Sequence, residues 1–364
     1  MNILLLSYGV IEHDGRLKEL IDVSNNLGDT KVVACAIDKS INYPYSFCID
    51  SREKRHTIKN YLMFIVHSIK VARKMSSIDI LIVDDFTTSL AGSIINKLFR
   101  PKILVQDSRE LYIDKKMPGF GNVFLYSEKN LYKKADLIIC ANKQRAQIMQ
   151  ERYGFEERPY VFENIRILEG EFNQTELDAK YKSLLKPGTK IISTGGCSIE
   201  RGTDRLVMAM KRLPTCTLYI VGKGRPKDYD KIVKLIKENT VKNVYILDRV
   251  TLSELRYLIK QCDIGIVEYH KNDLNNLFCA SGKVYEYMKE GLPIVTTENI
   301  PLVELCEEFK VGIADDNFIG GIEGVIENLQ SFNKNVTKYM ESISVENNNK
   351  GLVDKIRNTF DNKM

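Results

Sequence analysis

The sequence predicts an α/β protein made of two consecutive doubly wound, parallel-sheet domains of Rossmann-like type. Three observations carry this expectation. Short apolar runs alternate with helical patterns through the first half, the alternation weakens once near the middle, and it then restarts. A chain of 364 residues, 44% of them apolar, holds material for two cores rather than one.

In the first half, strands are expected at 3–6, 31–36, 78–83, 102–105, 137–140 and 160–162, each a strand-length apolar run. Helical periodicity occupies 16–26, 57–75 and 127–134 between them. A polar segment over 167–188, ending Lys186-Pro187-Gly188, reads as the linker. Strands resume at 190–193, 217–221, 243–247, 264–267, 294–296 and 312–314. The expected domains are therefore 1–170, 171–335 and a helical tail, 336–364, packing back on the first domain. In that tail Asn347-Asn348-Asn349-Lys350-Gly351 is expected to break a last helical segment at 352–360. Ligands of such sheets bind beyond the carboxyl ends of the strands, so the natural site is a cleft between the two sheets.

Composition excludes several classes. Charged residues make up 28% and are well mixed in sign, which argues against disorder. A net charge of +5 with no zinc-finger spacing or RNP-like motif gives no support for nucleic-acid binding. The eight cysteines are scattered without a Cys-x-x-Cys pair, mostly in apolar runs, the pattern of reduced cytosolic thiols. The run from Met1 to Gly9 lacks a basic n-region and is only strand length, so it reads as a strand and not a signal peptide. No apolar run reaches the roughly 18 residues of a membrane span, and a cytoplasmic protein is expected.

The most informative stretch is Ala280-Ser281-Gly282-Lys283-Val284-Tyr285-Glu286-Tyr287-Met288, closed by Gly291-Leu292-Pro293-Ile294-Val295. It reads as a small-residue turn, a short helix, a glycine stop and a buried strand. Small residues leave the first helical N–H groups open to an anion, and the helix dipole favours negative charge there. Lys283 in the first turn suits a bound phosphate; Glu286, one turn on, suits the vicinal diol of a ribose. An ordinary αβ unit with a solvated Lys–Glu pair would show the same run. Two further strands end in glycine: Thr194-Gly195-Gly196, followed by Glu200-Arg201-Gly202, and Gly222-Lys223-Gly224. Paired glycines permit close approach of backbone to ligand, and Arg201 offers a fork-shaped cation for phosphate. Neither is a Walker A or a Gly-x-Gly-x-x-Gly motif, and a tight turn explains each alone.

Taken together, these segments resemble the retaining glycosyltransferases of family four, of GT-B architecture. The likeness is strongest over 192–297 and extends to Asp14-Gly15-Arg16, Gln106-Asp107-Ser108-Arg109-Glu110-Leu111, and the segment from Asp136 to Glu163-Asn164. It implies two Rossmann-like domains facing across a cleft, the second binding a nucleotide-diphosphate sugar. Arg201 and Lys283 would neutralise the diphosphate with the turns at Gly195, Gly196, Gly222, Ser281 and Gly282. Glu286 would hold the ribose, backbone at Arg249 and Val250 would meet the base, and Gly9 would face the phosphates from the first domain. The implied reaction is retaining and needs neither divalent metal nor cofactor. It transfers a hexose-type sugar to a glycan or lipid-linked glycan, in bacterial surface-polysaccharide synthesis.

Three positions depart from the family pattern. Phe278 stands where many relatives carry a glutamate, so contacts to the transferred sugar fall to backbone between Cys279 and Gly282. Cys197 replaces an arginine after the glycine turn, and Arg109 replaces a histidine, offering a fixed cation but no base at neutral pH. Among other candidates, His13, in the loop after the first strand, suits the acceptor side. Asp84-Asp85 follows the strand at 78–83 and either lines that side or caps the next helix. His270 is placed near the donor sugar, while His56 and His67 read as surface or packing residues. Asp228-Tyr229-Asp230 matches an Asp-x-Asp metal motif but begins a Lys-rich helix, so a solvated face is expected.

The basic run at 52–56 and the following helix combine Lys59, Lys70, Arg73 and Lys74 with a long apolar series. Such a helix suits either the outside of an α/β domain or a peripheral contact with the inner membrane face. Two alternatives share the architecture: a nucleotide-sugar epimerase or a phosphorylase, and a catalytically degenerate partner or sensor protein.

Overall fold

The computed structural model describes residues 1–38, 45–50, 57–113, 117, 119, 121–168 and 170–364. The basic run at 52–56, His56 included, lies outside the described residues. The chain forms two compact units, Met1–Asn164 with Val345–Met364, and Ile165–Ser344.

The first unit holds a parallel sheet of seven strands among the described residues. They are β1 (Asn2–Val10), β2 (Asp29–Ala36), β3 (Phe47–Cys48), β4 (Ile80–Asp84), β5 (Ile103–Ser108), β6 (Leu137–Cys140) and β7 (Tyr160–Val161), in the order 3-2-1-4-5-6-7. Strand β1 shows why the sequence runs apolar without alternation. Ile3 and Leu5 enter one core with Leu17 and Leu20, while Leu4 and Leu6 enter the other with Phe64 and Ile95. Helix Gly15–Leu27 starts where the Asp14 carboxylate accepts the Leu17 N–H at 3.0 Å.

The terminal helix, Val345–Asp361, runs unbroken through the asparagine cluster expected to interrupt it. The polar residues are its docking points. The Asn349 amide donates to Glu19 at 2.6 Å and Asp22 at 3.0 Å, and the Asn348 amide donates to the Glu163 carbonyl at 3.1 Å. A Cβ at Gly351 would stand 2.7 Å from the Tyr160 hydroxyl, so glycine admits close approach here rather than ending the helix.

The second unit holds β8 (Thr189–Ser193), β9 (Cys216–Val221), β10 (Val244–Leu247), β11 (Ile264–Val267), β12 (Ile294–Thr296) and β13 (Gly312–Ala314), all parallel, in the order 10-9-8-11-12-13. The segment expected as a linker belongs to this unit. It carries helix Gln174–Tyr181, whose Tyr181 stacks on Tyr257 at 5.8 Å and whose Asp178 accepts the Tyr257 hydroxyl at 2.7 Å. A helix resting on so few apolar anchors leaves only a weak period in the sequence.

Strand order reverses between β1 and β4 in the first unit and between β8 and β11 in the second. At such switch points neighbouring loops leave the sheet in opposite directions and open a crevice at the carboxyl ends. Seven of the eight cysteines are buried and all are free, Cys48 being the exposed one.

Candidate active site

The switch point of the second unit gathers the glycine turn after β8, Glu268 directly after β11, and helix Gly282–Lys289. Tyr287, fully buried on that helix, fixes the turn: its hydroxyl oxygen accepts the Thr194 N–H at 2.9 Å and lies 2.9 Å from the Thr194 hydroxyl. The glycines divide into two roles. Gly196 and Gly224 have φ of 67° and 72°, and their turns press backbone to backbone. A Cβ on Gly224 would meet the Cys197 carbonyl at 2.2 Å, and one on Gly196 the Gly224 nitrogen at 3.0 Å. These two serve the contact between turns; Gly222, with φ of 93°, makes the second turn.

Gly195 is different. A Cβ there would stand 2.7 Å from the Lys283 ammonium, 3.6 Å from a Glu268 oxygen and 3.9 Å from the Ser193 hydroxyl. Glycine thus lets the Lys283 ammonium pack close against the turn, at the floor of the switch-point crevice. Lys283 Nζ, Glu268 Oε2 and Ser193 Oγ are buried here without a hydrogen-bond partner, as is Ser281 Oγ at the start of helix Gly282–Lys289. An unpaired buried ammonium is costly, and burial holds Lys283 down at about 8 although Glu268 pulls the other way. Glu268 is wholly buried, accepts the Thr203 hydroxyl at 3.0 Å, and is raised above the usual carboxylate range by burial. Arg201 lies 5.3 Å over the Tyr269 ring at the edge of this crevice.

Glu286 is buried and pairs with Arg166 Nε at 2.8 Å. Burial raises its carboxyl, opposed first by Arg166 and then by Lys283. Sequence reading missed Arg166, which lies just before the supposed linker with no local signal, and Glu268, whose signal was legible: a charged residue closing an apolar strand run. Arg249 is exposed on the turn after β10, whereas Val250 packs against the core. His270 Nε2 lies 3.4 Å from Glu200, and its Nδ1 accepts the Asn272 N–H at 3.3 Å. Asp228 and Asp230 lie on helix Pro226–Glu238. Among the described residues, no His/Cys/Asp/Glu group has the arrangement of a metal site.

The first unit has its own buried polar network at the β1/β4 switch point. Arg109 forks onto both oxygens of Asp84, one at 2.6 Å, and reaches Asp14 at 2.6 Å. Ser7 donates to Asp84 at 2.6 Å and accepts the Gly9 N–H at 3.0 Å. A Cβ on Gly9 would lie 2.7 Å from Asp14 and 2.9 Å from Ser7 Oγ, so Gly9 makes room for this network. Beneath it Arg16 grips Asp107 at 2.7 and 2.8 Å. Against burial, four carboxylates around Arg109, those of Asp84, Asp14, Asp107 and Asp85, keep its guanidinium firmly charged, while burial pushes Asp84 up to about 7. Asp85 caps no helix through its side chain; it adopts φ 68°, its Oδ1 is buried without a partner, and burial raises it to about 6. His13 is exposed at the end of the short 3-10 turn Ile11–His13, and His67 Nε2 lies 2.9 Å from the Tyr45 carbonyl.

Residues 188–328 match the family of glycosyl transferases group 1, spanning the sheet and crevice of the second unit. That domain marks the chain as a transferase. No curated protein matches the chain significantly. Among solved structures, sucrose-phosphate synthase from Thermosynechococcus elongatus superposes with a TM-score of 0.74 at 15% identity, over 99% of both chains. HepE of Anabaena, in complex with UDP-glucose, gives 0.72 at 17% identity, over 98% of this chain and 100% of its own. UDP-GlcNAc 2-epimerase of Neisseria meningitidis, bound to UDP-GlcNAc, gives 0.63 at 14%, again over 98% and 100%. At such identities the likeness establishes the fold. It is GT-B: two Rossmann-like α/β units with parallel sheets.

Proposed function

We propose that this chain is a retaining, metal-independent glycosyltransferase that moves a hexose-type sugar from a nucleotide-diphosphate sugar to a glycan or lipid-linked glycan. The observation that carries this reading is the buried, unpartnered Lys283 ammonium opposite the bare Cα of Gly195. A diphosphate oxygen seated there would supply the missing partner. Ser193 and Ser281 offer two further unpaired hydroxyls, and Arg201 a second cation. Charge on the departing phosphate grows in the transition state, so fixed cations in a dry crevice favour bond cleavage. Glu286, aligned by Arg166, would accept the ribose hydroxyls, and Arg249-Val250 would border the base. The Gly9–Asp14–Arg109 network with His13 is assigned to the acceptor side. In the retaining reaction the anomeric carbon–oxygen bond to phosphate breaks, the acceptor oxygen bonds on the same face, and its proton passes to the departing phosphate. Synthesis of a bacterial surface polysaccharide inside the cell is the setting this reading favours.

The experiment is a thermal-shift panel of UDP-, GDP-, ADP- and CMP-sugars in EDTA, followed by turnover with the stabilising donor. One stabilising donor is expected to give turnover that Lys283→Met abolishes. Stabilisation only after added divalent metal would contradict metal independence. A second reading, a nucleotide-sugar epimerase, draws on the Glu268 carboxylate beside Lys283 and on the shared fold of the Neisseria enzyme. Incubating the donor alone separates the two, because only an epimerase changes it without acceptor.

A further inference from the structure

Helix Ile58–Ala72 of the first unit turns a continuous face outward. Its buried side is ordinary: Tyr61, Phe64, Ile65, Ser68, Val71 and Ala72 pack on the sheet. The opposite side is not. Ile58, Leu62, Met63 and Val66 are 54, 57, 47 and 51% exposed. No other helix among the described residues exposes as many large apolar side chains. At 3.6 residues per turn these four fall within one arc of about 140° that also carries Lys59 and Lys70, and the turn closing the helix adds Arg73 and Lys74. All four cations are exposed, and no acidic residue occurs between Thr57 and Ser77. An outward helix face of an α/β unit normally mixes charges of both signs and few large apolar groups.

We infer that this face docks the protein on an anionic lipid bilayer, with the helix lying in the plane of the interface. Both halves of the required chemistry are present on one arc. The four apolar side chains reach the boundary between headgroups and acyl chains, while the lysine and arginine heads stay among lipid phosphates. The wholly basic charge selects an anionic surface over a neutral one. No helix of the described residues is long and apolar enough to cross a membrane, which fits contact from one side. Docking of this kind is independent of the sugar-nucleotide reading, since every residue involved is remote in sequence from the crevice of the second unit.

The test is cosedimentation of the full chain with vesicles of phosphatidylglycerol and phosphatidylcholine, compared with phosphatidylcholine alone. Binding is expected to the mixed vesicles only, weakening as salt is raised. Leu62→Ser with Val66→Ser, and separately Lys70→Glu with Lys74→Glu, are each expected to weaken binding roughly tenfold or more. Because these side chains are exposed, both variants should keep the wild-type Tm and nucleotide affinity. Failure of the wild type to bind mixed vesicles, or unchanged binding by both variants, would overturn the inference. So would sedimentation velocity showing a dimer dissolved by Leu62→Ser with Val66→Ser in a chain that ignores vesicles, for the face would then seat a second copy.

Discussion

Lys283 carries two opposing demands at one atom. Its ammonium is buried without a partner, which weakens the fold, and the same unmade hydrogen bonds favour a phosphate. Lys283→Met should therefore raise Tm at pH 7, by about 1–3 kcal/mol of stability, while abolishing turnover. The pH dependence follows from the sign of the shift. Lys283 titrates near 8 in the folded chain and near 10.5 when unfolded, so between these values the unfolded chain holds more protons and stability rises with pH. Nucleotide affinity runs the other way: above about pH 8 binding must first add a proton, so affinity falls by up to about tenfold per pH unit. Calorimetry across pH 7–10 should show both proton uptake and that decline; a flat profile would remove Lys283 from the diphosphate. Asp85 offers a second trade. Its φ of 68° suits glycine, so Asp85→Gly is expected to stabilise the fold by about 1 kcal/mol and to lower turnover through the acceptor KM. Loss of stability in a melting experiment would show that its side chain, not its backbone, matters to the fold.

Elements were legible where burial on both strand faces produced uniform apolar runs, as in Leu4 to Leu6 or Ile264 to Val267. They were obscured where polar residues make the packing contacts. Asn348 and Asn349 resemble a helix break, yet their amides dock the terminal helix on Glu163, Glu19 and Asp22. Glu128, buried in helix Gly121–Tyr132, blurs the start expected at 127. Of the crevice, Lys283, Glu286 and the glycine turns were readable from local spacing. Arg166 was not, because its partner is far along the chain and only folding brings the two together. For the terminal helix, Leu352→Ala should cost about 2–5 kcal/mol, since Leu352 is fully buried with Leu17 and Leu20. The loss belongs to the first unit, so denaturation followed with and without nucleotide should show the destabilisation with donor affinity retained. Reduced donor affinity would contradict the assignment of that helix to the first unit alone.

At the scale of the whole molecule, two units of one architecture carry unlike polar centres. In the first, Arg109 is held by Asp84 and Asp14; in the second, the Lys283 ammonium beside Gly195 is unpaired, as are Ser193 Oγ and one oxygen of Glu268. Satisfied networks rigidify a scaffold, whereas unsatisfied ones hold affinity in reserve for a ligand. Arg166→Ala probes that contrast, because it frees the Glu286 carboxylate without touching the crevice floor. Calorimetry should then record nucleotide binding about tenfold weaker, with unaltered binding showing that the pair is only structural. The most direct measurement is isothermal titration of UDP, GDP and ADP into the wild type and Lys283→Met, all in EDTA. At least one diphosphate is expected to bind the wild type, and to bind Lys283→Met at least about tenfold more weakly. Equal affinity for both proteins, or binding of none of the three to the wild type, would contradict a diphosphate seat at Gly195 and Lys283.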